Sequence, residues 1–467
     1  MAEQPRESRL AEERSRRGKQ PPVPQGGFPK LTPAQALGIA LVFVYLLRNS
    51  AAGVVIPGVE SACSLISYLL LGISALFIVS AGLKLAVPAA LLILLCLPGS
   101  LASTGAATTI PKYCGWALLV LAVGPLVMGG KARQLRQGAW SALVLLTGAI
   151  GVASFIWYAL RLPVFGVGAF TGVMNHANTV GPLAALGVIL ASCRALAATG
   201  RSGRIWWLVS GISLIPCTAS GSRIAAISLL VGLIAVGAVE WKRVSKHLLL
   251  VLSLGVFLLA GGYVVLLKSD VISSMTETLR EKKDINTREQ LWHARMEEFR
   301  ANPWLGIGIG YADISSAVEF GSFEGIQGVG IDTNGKMSVE PGSSYLALLS
   351  MTGLAGATGM TVLLFWIGRR FAQRYGALPI SQVSQLAGVG GFLAVHAIAE
   401  GWLLAVGSPL CLIFWLWLGR MMDATTRPTS GSRRPKLRKR VKSKIQAASQ
   451  AGEPASAAAS PLLVPEA

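Results

Sequence analysis

The sequence is short of charge. Only 14% of its 467 residues are Asp, Glu, Lys or Arg, whereas 52% are hydrophobic and the mean hydropathy is +0.57. A soluble chain of this length needs more charge to cover its surface, so the composition excludes an ordinary soluble domain and indicates a polytopic membrane protein. Acidic residues are the scarcer sign, 22 against 42 basic ones, for a net charge of +20. That balance would suit nucleic acid, but the basic residues sit beside long apolar stretches and in a tail, so no nucleic-acid partner is expected.

Among the charged residues aspartate is scarcest: Asp270, Asp284, Asp313, Asp332 and Asp423. None forms the paired acidic motif with which many nucleotide-sugar transferases hold a metal, so no metal or cofactor is expected. Gly330, Gly335 and Lys336 match most of a Walker A pattern, but Met337 stands where the metal-binding hydroxyl belongs. The six cysteines, Cys63, Cys96, Cys114, Cys193, Cys217 and Cys411, lack metal-ligand spacing, and packing is their expected role. No cleavable signal is expected, since some 30 polar residues precede the first apolar stretch.

What the chain has in abundance is uninterrupted apolar sequence. Stretches free of charge run over 31–47, 61–83, 85–111, 113–130, 137–160, 162–193, 205–222, 224–239, 247–267, 343–368, 375–399 and 401–419. A helix crosses a bilayer core with about 20 such residues, and tilt accommodates the shorter ones. The expected fold class is therefore an all-α integral membrane protein with about 12 transmembrane helices. Residues 33–267 hold helices 1–9 and residues 343–420 hold helices 10–12.

Basic residues orient these spans. With the N-terminus cytoplasmic, the inner short loops hold Lys84, Lys131, Arg133, Arg136, Arg194, Arg201, Arg204, Lys242, Arg243, Lys246, Arg369, Arg370 and Arg374. The outer ones hold only Arg48, Lys112, Arg161 and Arg223. Both termini are thus expected inside. Residues 1–32 and 421–467 read as disordered cytoplasmic tails, the second carrying eight Lys or Arg within 433–444, as a topology signal or a contact for anionic lipid.

Residues 268–342 interrupt the run of short connections with one large outer, periplasmic loop. Thr287 and Gln290 predict a capping box at the start of a loop helix, and Asn302-Pro303 predicts its end. Arg288 and Arg295, seven residues apart, share a face of that helix with Trp292 between them. Arg223, in CTASGSR, sits at a turn between two spans, at a depth where a charge needs a reason. Guanidiniums near one membrane surface suit phosphate or pyrophosphate, although each also has a plain reading, as a snorkelling helix end for Arg223 and a solvated helix face for the others. His396 and Glu400 at four-residue spacing predict a shared face on the eleventh span. Glu400 is a candidate for orienting an acceptor sugar. Asn178 beside His176 is a candidate sugar contact or helix cap.

The sequence TREQLWHARMEEFRANPWLGIGIGYAD, with a glycine-rich stretch and EPGSSYLALLSMTGLAG, resembles the outer loop of the O-antigen ligase and O-antigen polymerase superfamily. TGVMNHANTVGP and SGSRIAAISLLVG are similar to two further segments, with Asn178 and Arg223 at the matching positions. The resemblance implies a bacterial inner-membrane enzyme that takes a glycan from a polyprenyl-pyrophosphate donor to an acceptor hydroxyl on a glycan or lipid, without metal or nucleotide. It implies Arg223 and Arg288 as catalytic; taken with the residue readings above, Asn178, Trp292, Arg295, Tyr345 and Glu400 are the expected substrate-binding residues. Ligases of this kind place a histidine just ahead of the span after the loop. This chain has Glu340-Pro341-Gly342-Ser343-Ser344-Tyr345 there, which shifts the expectation towards a polymerase or exopolysaccharide relative with Glu340 as base. The alternative functions are a polytopic solute or anion transporter, for which His396 and Glu400 would be natural, and a scaffold for polysaccharide export.

Overall fold

A computed structural model describes residues 31–80, 84–103, 106–162, 170–241, 284–310, 329–331, 337–339 and 342–426, with the side chains of 284–290 and of both strands outside the described set. The described chain is overwhelmingly helical. The expected ninth span, 247–267, most of both tails, and Glu340 lie outside the described residues.

The helices follow in order: α1 Pro33–Arg48, α2 Ala51–Val55, α3 Val59–Val79, α4 Val87–Ala102, α5 Ala106–Ala122, α6 Gly130–Ala159, α7 Ala177–Ala197, α8 Gly200–Ala219 and α9 Arg223–Val239. Then come α10 Asp284–Ala301, an antiparallel strand pair β1 Val329–Ile331 and β2 Met337–Val339, α11 Ser344–Arg374, α12 Ile380–Ala399 and α13 Pro409–Thr426. By length and composition, α3, α6, α7, α11 with the turn after it, and α12 can each cross a membrane. α1, α4 and α9 are shorter apolar helices.

Local chemistry sets the boundaries. Thr32 and Gln35 close a capping box around Pro33 at the start of α1. Ser222 caps α9 by accepting from the Ala225 N–H. α7 starts differently from the asparagine cap that its sequence suggests: His176 is the cap, and its Nδ1 accepts from the Asn178 N–H at 3.0 Å. α10 begins at Asp284, so Thr287 falls inside the helix rather than capping it, because nothing in Asp284-Ile285-Asn286 breaks a helix. Its end at Ala301, just before Asn302-Pro303, is as expected.

Helices approach closely where side chains are small, the usual basis of association in lipid. Gly38 of α1 lies against the Leu135 carbonyl of α6, and Gly138 of α6 lies against the Gln35 backbone of α1. Gly232 of α9 and Gly388 of α12 face each other around Ile189 of α7. All six cysteines are free thiols. At the end of the bundle holding the α5–α6 turn, Arg136 is fully buried. It forms two bonds to the Asp423 carboxylate, at 3.1 and 2.6 Å, and two more to the carbonyls of Gly124 and Val127.

Candidate functional site at the loop end of the bundle

The opposite end gathers most of the residues that the sequence singles out. The turns after α1 and before α7 pair through the Ser50–Met174 bridge, with Ala51 N–H donating to Val173 O and Asn175 N–H to Asn49 O. Asn49 Nδ2 donates to Gly407 O in the α12–α13 connection. The other half of that connection is held by Ser344, whose hydroxyl donates to Glu400 O at 2.6 Å and accepts from the N–H groups of Trp402 and Leu403. One serine at the start of α11 thereby satisfies three main-chain groups where α12 has ended and backbone is otherwise unpaired.

The segment Asn302–Gly310 is strapped to the same end. α11 is broken at Gly353, whose φ of 61° and ψ of −167° are left-handed and open to glycine. The break frees main-chain groups, and the strap takes them up. Leu354 N–H donates to Pro303 O and Ala355 N–H to Trp304 O, while Ile307 and Gly308 donate to the carbonyls of Ser350 and Met351. On its other side the strap touches α4, where the Leu305 carbonyl lies against Gly99 and the Ile309 N–H donates to Ser100 Oγ. Lys112 of α5 donates to Gly310 O. Irregular backbone among membrane helices is tolerated when protein supplies its hydrogen bonds, as here.

This strap fixes α10 relative to α11. Trp292 lies with its indole edge against Gly342, the residue before Ser343 and Ser344, and is partly exposed. Tyr345, also half exposed, donates its hydroxyl to Ala394 O on α12. Trp292 and the Glu400 main chain thus both lie against the start of α11, one through Gly342 and the other through Ser344. Arg295 is buried one turn along α10 in an ion pair with Glu298 at 2.7 Å. Desolvation pulls its pKa below the ordinary arginine value, and the Glu298 carboxylate opposes that shift. This is a buried charge with a committed partner, whereas Glu297 beside it is solvated. Arg288 lies on the same helix, its side chain outside the described residues.

A second group forms where α7, α8 and α9 meet. Gly181 of α7 packs on Ser220 and Ser222 of the α8–α9 turn, which sets Asn178, exposed in the first turn of α7, near the start of α9. Arg223 is the first residue of α9, exposed, and in no ion pair among the described residues.

His396 and Glu400 do not share a helical face. α12 ends at Ala399, and Glu400 has extended backbone at φ −135° and ψ 132°. His396 is buried, stacks on Phe392 and accepts at Nδ1 from Trp402 Nε1 at 3.0 Å, which leaves that ring nitrogen without a proton. The ties made by Ser344 and the break at Gly353 are not legible in the sequence, although both residues lie in the EPGSSYLALLSMTGLAG motif. The clue available was the motif itself, two hydroxyls and a glycine around a span start.

The sequence profile of the O-antigen ligase family matches residues 208–361. Residues 208–361 are thus similar to the O-antigen ligase family. The matched segment contains Arg223, α10 with Arg288, Trp292 and Arg295, the strap, Glu340, Tyr345 and the Gly353 break, and it leaves out Asn178 and Glu400. No curated protein matches the chain significantly. Family and apolar helices together make this a multi-pass bacterial membrane protein of glycan assembly.

Proposed function

We propose that the protein is a membrane glycosyltransferase of the O-antigen ligase or polymerase type. Its donor is a glycan on a polyprenyl pyrophosphate, and its acceptor is a hydroxyl of another glycan or lipid at the periplasmic face. In the reaction the acceptor oxygen bonds to the anomeric carbon as the carbon–oxygen bond to the diphosphate breaks. The bonding electrons leave with the polyprenyl diphosphate, and the hydroxyl proton passes to a base, for which Glu340 is positioned by sequence just ahead of Gly342.

Negative charge grows on the departing diphosphate, so guanidiniums held in place stabilise the transition state more than the bound donor. Arg223 and Arg288 take that role; Arg295, already paired with Glu298, orders the helix that carries Arg288. Asn178, Trp292, Tyr345 and Glu400 line the binding surface for sugar. The observation that carries this reading is the strap: four main-chain hydrogen bonds between residues 303–308 and 350–355 hold the arginine-bearing helix over the end of α11. A loop that only connects spans has no need of such fixing.

The domain plan is residues 33–267 and 343–426 as the membrane body, 268–342 as the periplasmic catalytic loop, and 1–32 and 427–467 as cytoplasmic tails in the inner membrane; the tail expected from residue 421 starts later because α13 continues to Thr426 and buries Asp423 against Arg136. Deleting the gene and analysing surface carbohydrate together with lipid-linked precursors tests the reading. Accumulated precursor with missing or shortened glycan is the expected result. Normal glycans with altered uptake of a small solute or anion would contradict it and favour a transporter.

A further inference from the structure

Arg48 is one of four basic residues expected on the outer side, and the structure lays its guanidinium on the α12–α13 connection. It ends α1, partly buried, and its guanidinium lies across Gly407: a methyl group at 407 would stand 2.7 Å from Nη1 and 3.0 Å from Cζ and Nη2. A side chain at 407 would push the guanidinium from this position. Among the described residues Arg48 is paired with no carboxylate. Its neighbours are held in place by main chain: Asn49 Nδ2 donates to Gly407 O, Asn175 N–H donates to Asn49 O, and Met174 N–H donates to Thr171 O.

Two polar oxygens in this same knot, Asn175 Oδ1 and Thr171 Oγ1, are buried and have no hydrogen-bond partner among the described residues. Thr171 is 4% exposed. A buried polar atom without a partner costs stability, and a hydroxyl-bearing ligand supplies what each lacks. A partly buried guanidinium with no carboxylate partner among the described residues, on a segment tied through main chain to one carrying two unpartnered oxygens, offers the chemistry of an acidic carbohydrate site.

We propose that Arg48, Asn49, Thr171 and Asn175, with Gly407 as the floor, form a second oxyanion subsite. It grips a carboxylate or phosphate of the glycan substrate, while Asn175 and Thr171 take neighbouring hydroxyls. The subsite lies on the α12–α13 connection whose other end is tied to Ser344, so it shares a loop with the transfer site. The inference rests on the transferase reading for its substrate and on geometry for its existence.

The test is direct binding to the full chain in phosphatidylcholine nanodiscs, with R223Q and R288Q already introduced so that those arginines contribute nothing. The probes are glucuronate and inorganic pyrophosphate, followed by calorimetry. Losing a charge-assisted bidentate contact weakens binding by about tenfold or more, so R48Q should lose the probe and R48K should retain part of it. G407V, which keeps every charge but fills the guanidinium's place, should weaken binding too. Preference for glucuronate assigns the subsite to an acidic sugar, and preference for pyrophosphate assigns it to the diphosphate. Failure of the parent chain to bind either probe, or unchanged binding in folded R48Q and G407V, overturns the proposal. Should R48Q not fold, G407V and T171V carry the same comparison. Transferase and subsite fail separately: loss of the gene with normal glycans removes the first, while altered glycans with R48Q binding as the parent does removes the second.

Discussion

Ser344 donates its hydroxyl to the main-chain carbonyl of Glu400 across 2.6 Å, and the same oxygen accepts from the two amides that follow Gly401. This contact joins the start of α11, the end of α12 and the connection to α13 through a single buried side chain.

Replacing it with alanine leaves three main-chain groups without their partner. Each buried group so stranded costs about 1–3 kcal/mol, less whatever water recovers. S344A should therefore lower the thermal unfolding midpoint of the detergent-solubilised protein, with amide exchange rising first over residues 400–404. Unchanged protection there would show that other contacts hold the connection.

Gly353 carries the break in α11. A Cβ at this position meets the Trp304 carbonyl carbon and oxygen, and the backbone is left-handed. G353A should either straighten α11 and expel the strap or unfold the protein, at a cost of about 1–3 kcal/mol or more. G368A is the control, because Gly368 sits in the same helix with open space beside it. Amide exchange at Ile307 and Gly308, whose N–H groups donate to the Ser350 and Met351 carbonyls, reports whether the strap has moved.

At the other end of the bundle, Arg136 and Asp423 form a buried bidentate pair, with Arg420 3.6 Å from the same carboxylate. Removing one partner leaves a buried charge uncompensated, typically about 3–5 kcal/mol. D423N should destabilise sharply, whereas R136M with D423L should recover much of the loss. Thermal unfolding of the single and double variants checks the sign.

In the transferase reading, R288A removes one preplaced guanidinium from the departing diphosphate. A loss of about 3 kcal/mol in the barrier, or roughly a hundredfold or more in turnover, is the expected scale. R288K should recover part of it and donor binding should change less than turnover. Turnover equal to that of the parent chain removes Arg288 from the mechanism.

Sequence carried the class of fold and the family segment because both rest on local signals: run length against bilayer thickness, and the NPWLGIGIG and EPGSSY motifs. The end of α10 followed from Asn302-Pro303 for the same reason. What sequence missed is non-local. Nothing near Gly353 announces that its free amides will be answered by Pro303 and Trp304, some 50 residues earlier. Arg136 and Asp423 are 287 residues apart, so their pairing leaves no spacing to read. The four-residue spacing of His396 and Glu400 misled because α12 stops one residue before the glutamate. By sequence Arg295 reads equally as a phosphate contact or as part of a solvated helix face, and its burial against Glu298 comes only with packing.

The most direct test of the transferase account is reconstitution of the purified chain in sealed liposomes with a polyprenyl-diphosphate-linked glycan and an unlabelled acceptor glycan. The account predicts one free polyprenyl diphosphate for each new glycosidic bond, with the yield collapsing in R288A and unaffected by chelator. Sealed liposomes that form no glycoside yet accumulate a small solute or anion would contradict it.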